Sequence, residues 1–163
     1  MSKLETYIGE DVKLEHVMNI IVTCSSPTKL GGSEESKDGI RNEIWEIIGG
    51  MFEGKNIKGT VIPGGGDFPV TRPDGVTVVD ALYRLKTDDG ETIIIHNCGL
   101  EYKPTEQTPE KYRLCPTFTA PGGKYDWLNK HIFLSTLVDV PEDLALASGS
   151  EENDRLIQVY KVT

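Results

Sequence analysis

The chain has 163 residues, 37% of them hydrophobic, with 17 Lys and Arg against 26 Asp and Glu, a net charge of −9 and a pI near 4.8. This length supports one core without a metal or disulfide staple. So acidic a surface repels phosphate backbones and anionic headgroups, which argues against nucleic acid and membrane as partners.

The reading is of a single domain over 1–163, with 1–12 as an N-terminal extension that carries no apolar signal-peptide segment. Apolar stretches such as Ile20-Ile21-Val22 and 92–95 fall far short of the roughly 17 residues a spanning helix needs. Cys24, Cys98 and Cys115 are odd in number and widely spaced, which fits reduced thiols and a cytoplasmic protein.

Residues 14–23 alternate with a period of two, Leu14, His16, Met18, Ile20 and Val22 on the more apolar face, which predicts a first long strand with His16 as a core histidine. Residues 24–39 are polar and turn-rich and read as a surface loop. A short strand with Trp45 is expected at 43–48, ended by Gly49-Gly50, and another at 56–62, ended by Gly64-Gly65-Gly66 and followed by Asp67. Glycines of this kind turn a chain sharply and can form the lip of a binding mouth.

Residues 76–86 and 91–97 are rich in β-branched side chains, and the intervening Thr87-Asp88-Asp89-Gly90 predicts a tight hairpin. Thr108-Pro109-Glu110 carries an N-cap, a proline at the first helical position and an acid in the first turn, so a short helix is expected over 109–114. Strands over 127–138 and 155–162 complete the series, separated by an irregular span around Pro141 and a polar loop over 148–154. Strands joined by short turns with almost no helix argue for an all-β antiparallel sandwich or closed barrel.

Several blocks in register, Gly49-Gly-Met-Phe-Glu-Gly54, Gly59-Thr-Val-Ile-Pro-Gly-Gly-Gly-Asp67, Arg72-Pro-Asp-Gly75, Asp80 to Tyr83, Thr87-Asp-Asp-Gly90 and Tyr125-Asp-Trp-Leu-Asn129, resemble domain-of-unknown-function family 3237 from about residue 14 to 162. The resemblance implies a small lipocalin-like antiparallel β-barrel with no established general activity. Leu82 stands where that family often has Arg, and Trp45-Glu46 replaces a Val-Pro-like pair. The first departure removes a charged partner from the face of Asp80.

His16, His96 and His131 make no metal-ligand spacing, so no metal and no cofactor is expected. Neither glycine run continues into the Gly-Lys-Ser/Thr of a phosphate loop, and no Gly-x-Ser-x-Gly elbow is present. Asp80 lies among Val78, Val79, Ala81 and Leu82, where a carboxylate must be paired or face a polar cavity. Alternation leaves two readings for it, a pocket group or an exterior pair with Arg84. His96 and Asn97 fall on opposite faces, and Trp127, Asn129, His131 and Phe133 share one.

The candidate ligand contacts are therefore Asp67, Asp80, Tyr83, His96, Trp127 and Asn129. Three functions follow. A barrel of about eight strands holds one small, partly apolar ligand; Asp80, His96 or Asp67 makes it a cofactor-independent isomerase, hydratase or lyase; or a side-chain-filled barrel acts through its surface in an oligomer. A homodimer formed through an exposed edge strand is expected.

Overall fold

The computed structural model describes residues 1–29, 39–107, 109–147 and 152–163. Its strands are β1 (Leu14–Ser25), β2 (Thr28–Lys29), β3 (Arg41–Gly54), β4 (Ile57–Asp67), β5 (Val70–Thr71), β6 (Thr77–Thr87), β7 (Thr92–Tyr102), β8 (Lys111–Thr119), β9 (Phe133–Val138) and β10 (Glu152–Val162). The antiparallel order β1-β10-β9-β8-β7-β6-β4-β3 is closed by pairing of β3 with β1, giving an eight-stranded barrel to which β2 and β5 are appended. Among the described residues, closure leaves the short β2 and β5 as the appended strands. Ahead of the barrel, the exposed helix α1 (Lys3–Thr6) is held by a capping box between Ser2 and Glu5.

Sequence alternation explains the barrel wall. Along β6, Thr77, Val79, Ala81, Tyr83, Leu85 and Thr87 are buried, while Asp80, Leu82, Arg84 and Lys86 face outward. The turn 88–91 sets Lys86 opposite Thr92 and thereby every pair of the β6–β7 hairpin. Gly90 sits at φ 99°, the left-handed backbone that favours glycine at this turn.

The glycines expected to end two strands instead lie inside them. β3 runs through Gly49-Gly50 and β4 through Gly64-Gly65-Gly66, each with a shift of register there. The bulge lets a strand bend without stopping. At Gly65 the backbone passes so near β6 that a Cβ would lie 2.5 Å from Tyr83 Cβ and 2.7 Å from Leu82 O.

Four further expectations are corrected. A bulge between His16 and Met18 moves the residues before it to the other face, so His16 is exposed, with Nε2 2.8 Å from Asn19 Oδ1. The segment 24–39 is not wholly loop, since β1 continues to Ser25 and β2 follows, while 30–38 lie outside the described residues. The helix expected over 109–114 is replaced by β8, whose Leu114 and Phe118 enter the core; tertiary pairing with β7 overrides a local capping signal, and Thr108 lies outside the described residues. Finally, 127–138 is not one strand: Asp126–Asn129 is a 3₁₀ turn and β9 starts at Phe133.

That 3₁₀ turn plugs one end of the barrel. Leu128 is buried, Asn129 accepts from Ala120 N–H (2.8 Å) and donates to Ala120 O (2.9 Å), and the Tyr125 hydroxyl donates to Asp89 in the hairpin turn (2.7 Å). Above the plug, Met18, Phe52, Leu85, Ile93, Ile95, Phe118 and Phe133 fill the lumen, with the Phe118 and Phe133 rings edge-on at 5.1 Å.

Candidate functional site

At the opposite end the lumen is open. Where β3, β6, β8 and β10 begin and β1 and β7 end, a cavity of about 240 Å³ is walled by Trp45, Ile47, Val79, Ala81, Leu114 and Leu137 and carries Asp67, Tyr83, Asn97, Glu101, Arg41 and Arg155. The barrel is thus filled at its plugged end and hollow at its mouth.

The bulged end of β4 brings Asp67 into register with Trp45 on one side and Ala81 on the other. Burial pushes its carboxyl up from 3.8 to about 6, opposed in part by the Asp80 backbone N–H, which donates to Oδ1 at 3.1 Å. Tyr83 is 2% exposed and its hydroxyl has no hydrogen-bond partner. A buried hydroxyl without a partner costs about 1–3 kcal/mol, and burial holds this phenol well above its ordinary range. Burial likewise raises the Cys24 thiol to about 11, leaving it protonated and unreactive.

Deeper polar groups are fixed. The Ser135 hydroxyl donates to Asn97 Oδ1 at 3.2 Å, and both residues are buried. Nearer the rim, Lys103 Nζ lies 3.5 Å from Glu101 Oε1. Burial opposes ionisation of Glu101, yet the Glu110 carboxyl and Lys103 together hold it below the ordinary carboxylate range. Trp45 Nε1–H donates to Glu43 Oε2 at 3.3 Å, which turns the indole into the wall.

Of the candidates read from sequence, Asp67 and Tyr83 come together in this cavity. Asp80 and His96 do not: both point outward from β6 and β7. Asp80 pairs there with His96 rather than Arg84, whose Nη2 donates to Pro63 O at 3.3 Å. Trp127 and Asn129 belong to the plug at the far end. Because Ala81 pairs with Asn97 and Leu82 with His96, Asn97 is the inward partner of the two. The hairpin turn held that signal, since its register fixes which β7 residues share a face with Tyr83. Glu101, opposite Thr77, shares that register, whereas Arg41 and Arg155 had no such signal, because only closure of the barrel brings their strands to one mouth.

On the outer wall the fold makes a second cluster. His96 Nε2 lies 2.7 Å from Asp80 Oδ1 and 3.0 Å from Cys98 Sγ, and Cys98 Sγ lies 3.3 Å from Asp80 Oδ1. His96, followed by Cys98, holds the Asp80 carboxylate below its ordinary range. Burial and then Asp80 push Cys98 up to about 11.

Fold and site together define a small closed β-barrel with a hollow, acid-bearing mouth. The chain belongs to the family described as protein of unknown function (DUF3237), which it matches over residues 12–162. It is similar to a UPF0311 protein of Clostridium acetobutylicum, 33% identical over 151 residues, covering 84% of this chain and 92% of that one. A crystal structure of a protein with unknown function from the same species superposes with a TM-score of 0.78 at 28% identity, covering 96% and 100% of the two chains. A further relative is the hydroalkoxylation enzyme phnH of Penicillium herquei, 34% identical over 83 residues, about half of each chain. The structure of an enzyme from Penicillium herquei shares the fold, with a TM-score of 0.70 at 20% identity over 96% and 98% of the two chains.

Proposed function

We propose that the mouth of the barrel binds a small, partly apolar organic molecule and moves protons on it without a cofactor. The observation that carries this reading is the pairing, in one cavity, of a carboxyl raised to about 6 with a buried phenol that has no partner. A carboxyl shifted in this way acts as a general base near neutral pH, and a phenol that stays protonated serves as a hydrogen-bond donor. Above pH 6 Asp67 is ionised and takes a proton from a substrate hydroxyl or an acidic C–H. Tyr83 donates its hydrogen bond to an oxygen that gains negative charge. Trp45, Val79 and Leu114 supply the apolar contact that such a ligand needs.

Hydroalkoxylation, the reaction named for the Penicillium herquei relative, adds an O–H across a carbon–carbon double bond. It therefore needs one group to take the hydroxyl proton and a proton returned to carbon. Asp67 can serve both steps in turn, and a hydroxylated alkene or phenol is accordingly the substrate class to test.

The experiment is incubation of the protein in D₂O with a panel of small hydroxyalkenes and alkenyl phenols, followed by NMR. Protein-dependent deuterium incorporation or ring closure, abolished in Asp67→Asn and reduced in Tyr83→Phe, is the expected result. Binding that survives both substitutions with no exchange leaves a carrier rather than an enzyme. No binding by any of the panel removes this substrate class.

A further inference from the structure

The outer wall of the barrel carries a cluster that the lumen does not use. Asp80 on β6 stands opposite Cys98 on β7, and Cys98 stands opposite Cys115 on β8, so the three form one row across three strands on the outward face. His96, two residues before Cys98, leans into the row. The ligand atoms of Asp80, His96 and Cys98 all lie within 4.8 Å of one another.

Two chemistries could use such residues, and the geometry separates them. In a nucleophilic relay the thiol and the carboxylate address opposite nitrogens of the imidazole. Here Sγ and Oδ1 both approach Nε2, at 3.0 and 2.7 Å. Three atoms that converge on one point, rather than form a chain, are arranged as ligands are. We propose that Asp80, His96 and Cys98 form a three-ligand site for a zinc-class divalent cation on the outside of the barrel, its fourth position taken by water.

The donor set fits the ion. A thiolate, an imidazole and a carboxylate satisfy zinc's preference for nitrogen and sulfur with one hard ligand, and three protein ligands with a water is a common zinc arrangement. Zinc bonds of about 2.0–2.3 Å place tetrahedral ligand atoms roughly 3.3–3.8 Å apart. The three present separations, 2.7, 3.0 and 3.3 Å, open to those values with small side-chain rotations. Cys115, two strands from Asp80 and so about 9–10 Å from it across the sheet, is too far for both to reach one ion, and the fourth corner falls to water. The side chains of His96 and Asp80 are 49% and 54% exposed, so the ion has a path in. Binding displaces the Cys98 thiol proton into solvent and leaves its sulfur as a thiolate.

His96 and Cys98 are neighbours on β7, while the third ligand comes from β6. The site would tie β6 to β7. Through Asp80, whose backbone N–H donates to Asp67 Oδ1, it would also abut the mouth without sharing a side chain with it.

The test uses full-length protein kept reduced with a non-thiol reductant and titrated with Co²⁺, then with Zn²⁺ in competition. The expected result is one equivalent of Co²⁺ bound, with a thiolate-to-metal charge-transfer band and the intense visible bands of tetrahedral cobalt, both displaced by Zn²⁺. Cys98→Ser should abolish the charge-transfer band and weaken the affinity, His96→Gln should reduce affinity with the thiolate band retained, and Cys115→Ser should leave both unchanged. All three positions lie on the outer wall, and circular dichroism of each variant checks its fold. The proposal is overturned if reduced protein gives no thiolate band, if binding is unchanged in Cys98→Ser, or if the band is lost in Cys115→Ser.

Discussion

Replacing Asp67 by Asn should make the protein more stable at neutral pH, and the amount follows from the environment of the carboxylate. The folded-state value of about 6 lies above the ordinary 3.8. Such a group contributes its stability in full below the unfolded value, and that stability is lost as pH rises from about 4 through about 6. The gap corresponds to about 3 kcal/mol at 1.36 kcal/mol for each pH decade. Asn keeps an oxygen to accept the Asp80 N–H and carries no charge to desolvate. At pH 8 the variant should therefore exceed wild type by about 3 kcal/mol, or about 6–12 °C in Tm for a domain of this size. At pH 4 and below the two should coincide. Urea unfolding of both proteins across pH 3.5–8 reads the difference and cancels every other titrating group. A variant no more stable than wild type at pH 8, or a gap that does not shrink in acid, would refute burial of Asp67 as the cause.

Other consequences are as direct. Tyr83→Phe removes the unpartnered hydroxyl and should leave stability equal or raise it by about 1–3 kcal/mol, whereas a clear loss in chemical unfolding would mean that the hydroxyl has a structural partner. Gly65→Ala should destabilise by about 1–3 kcal/mol, the usual cost of overpacking, because its Cβ meets the Tyr83 and Leu82 backbone; an unchanged Tm would contradict that contact. Proton-transfer activity should rise with pH through about 6 as Asp67 ionises, and a pH–rate profile falling over that interval would exclude it as base. Alkylation of reduced, folded, metal-free protein should label exposed Cys115 first and buried Cys24 last, with three labels after denaturation; rapid labelling of Cys24 would contradict its burial.

The barrel was legible because alternation is a local property of sequence: Val79, Ala81, Tyr83 and Leu85 name the inner face of β6 with no knowledge of its neighbours. Segments in which the local signal opposed the tertiary one were misread. Thr108-Pro109-Glu110 is a helix start by composition, yet Leu114 and Phe118 are needed in the core and residues 111–119 pair with β7. Glycines 64–66 read as a stop because a bulged strand and a turn use the same residues, and only the closeness of β4 to Tyr83 distinguishes them.

The site divided in the same way. Of the six candidate contacts, Asp67 and Tyr83 line the mouth, while Asp80, open in sequence to a pocket or an exterior reading, lies outside with His96. A carboxylate in an apolar run says only that it needs company, and the company here is His96 and Cys98 on the outside. Arg41, Glu101 and Arg155 reach the mouth from β3, β7 and β10, a convergence that requires the closed barrel.

The most direct measurement is a crystal structure of the protein with a small phenol or hydroxyalkene retained in native mass spectrometry. The account predicts the molecule in the open end of the lumen, its oxygen within hydrogen-bond reach of the Tyr83 hydroxyl and the Asp67 carboxyl, and its apolar body against Trp45 and Leu114. A ligand bound on the outer wall or at the plugged end, with the mouth empty or holding only water, would contradict it.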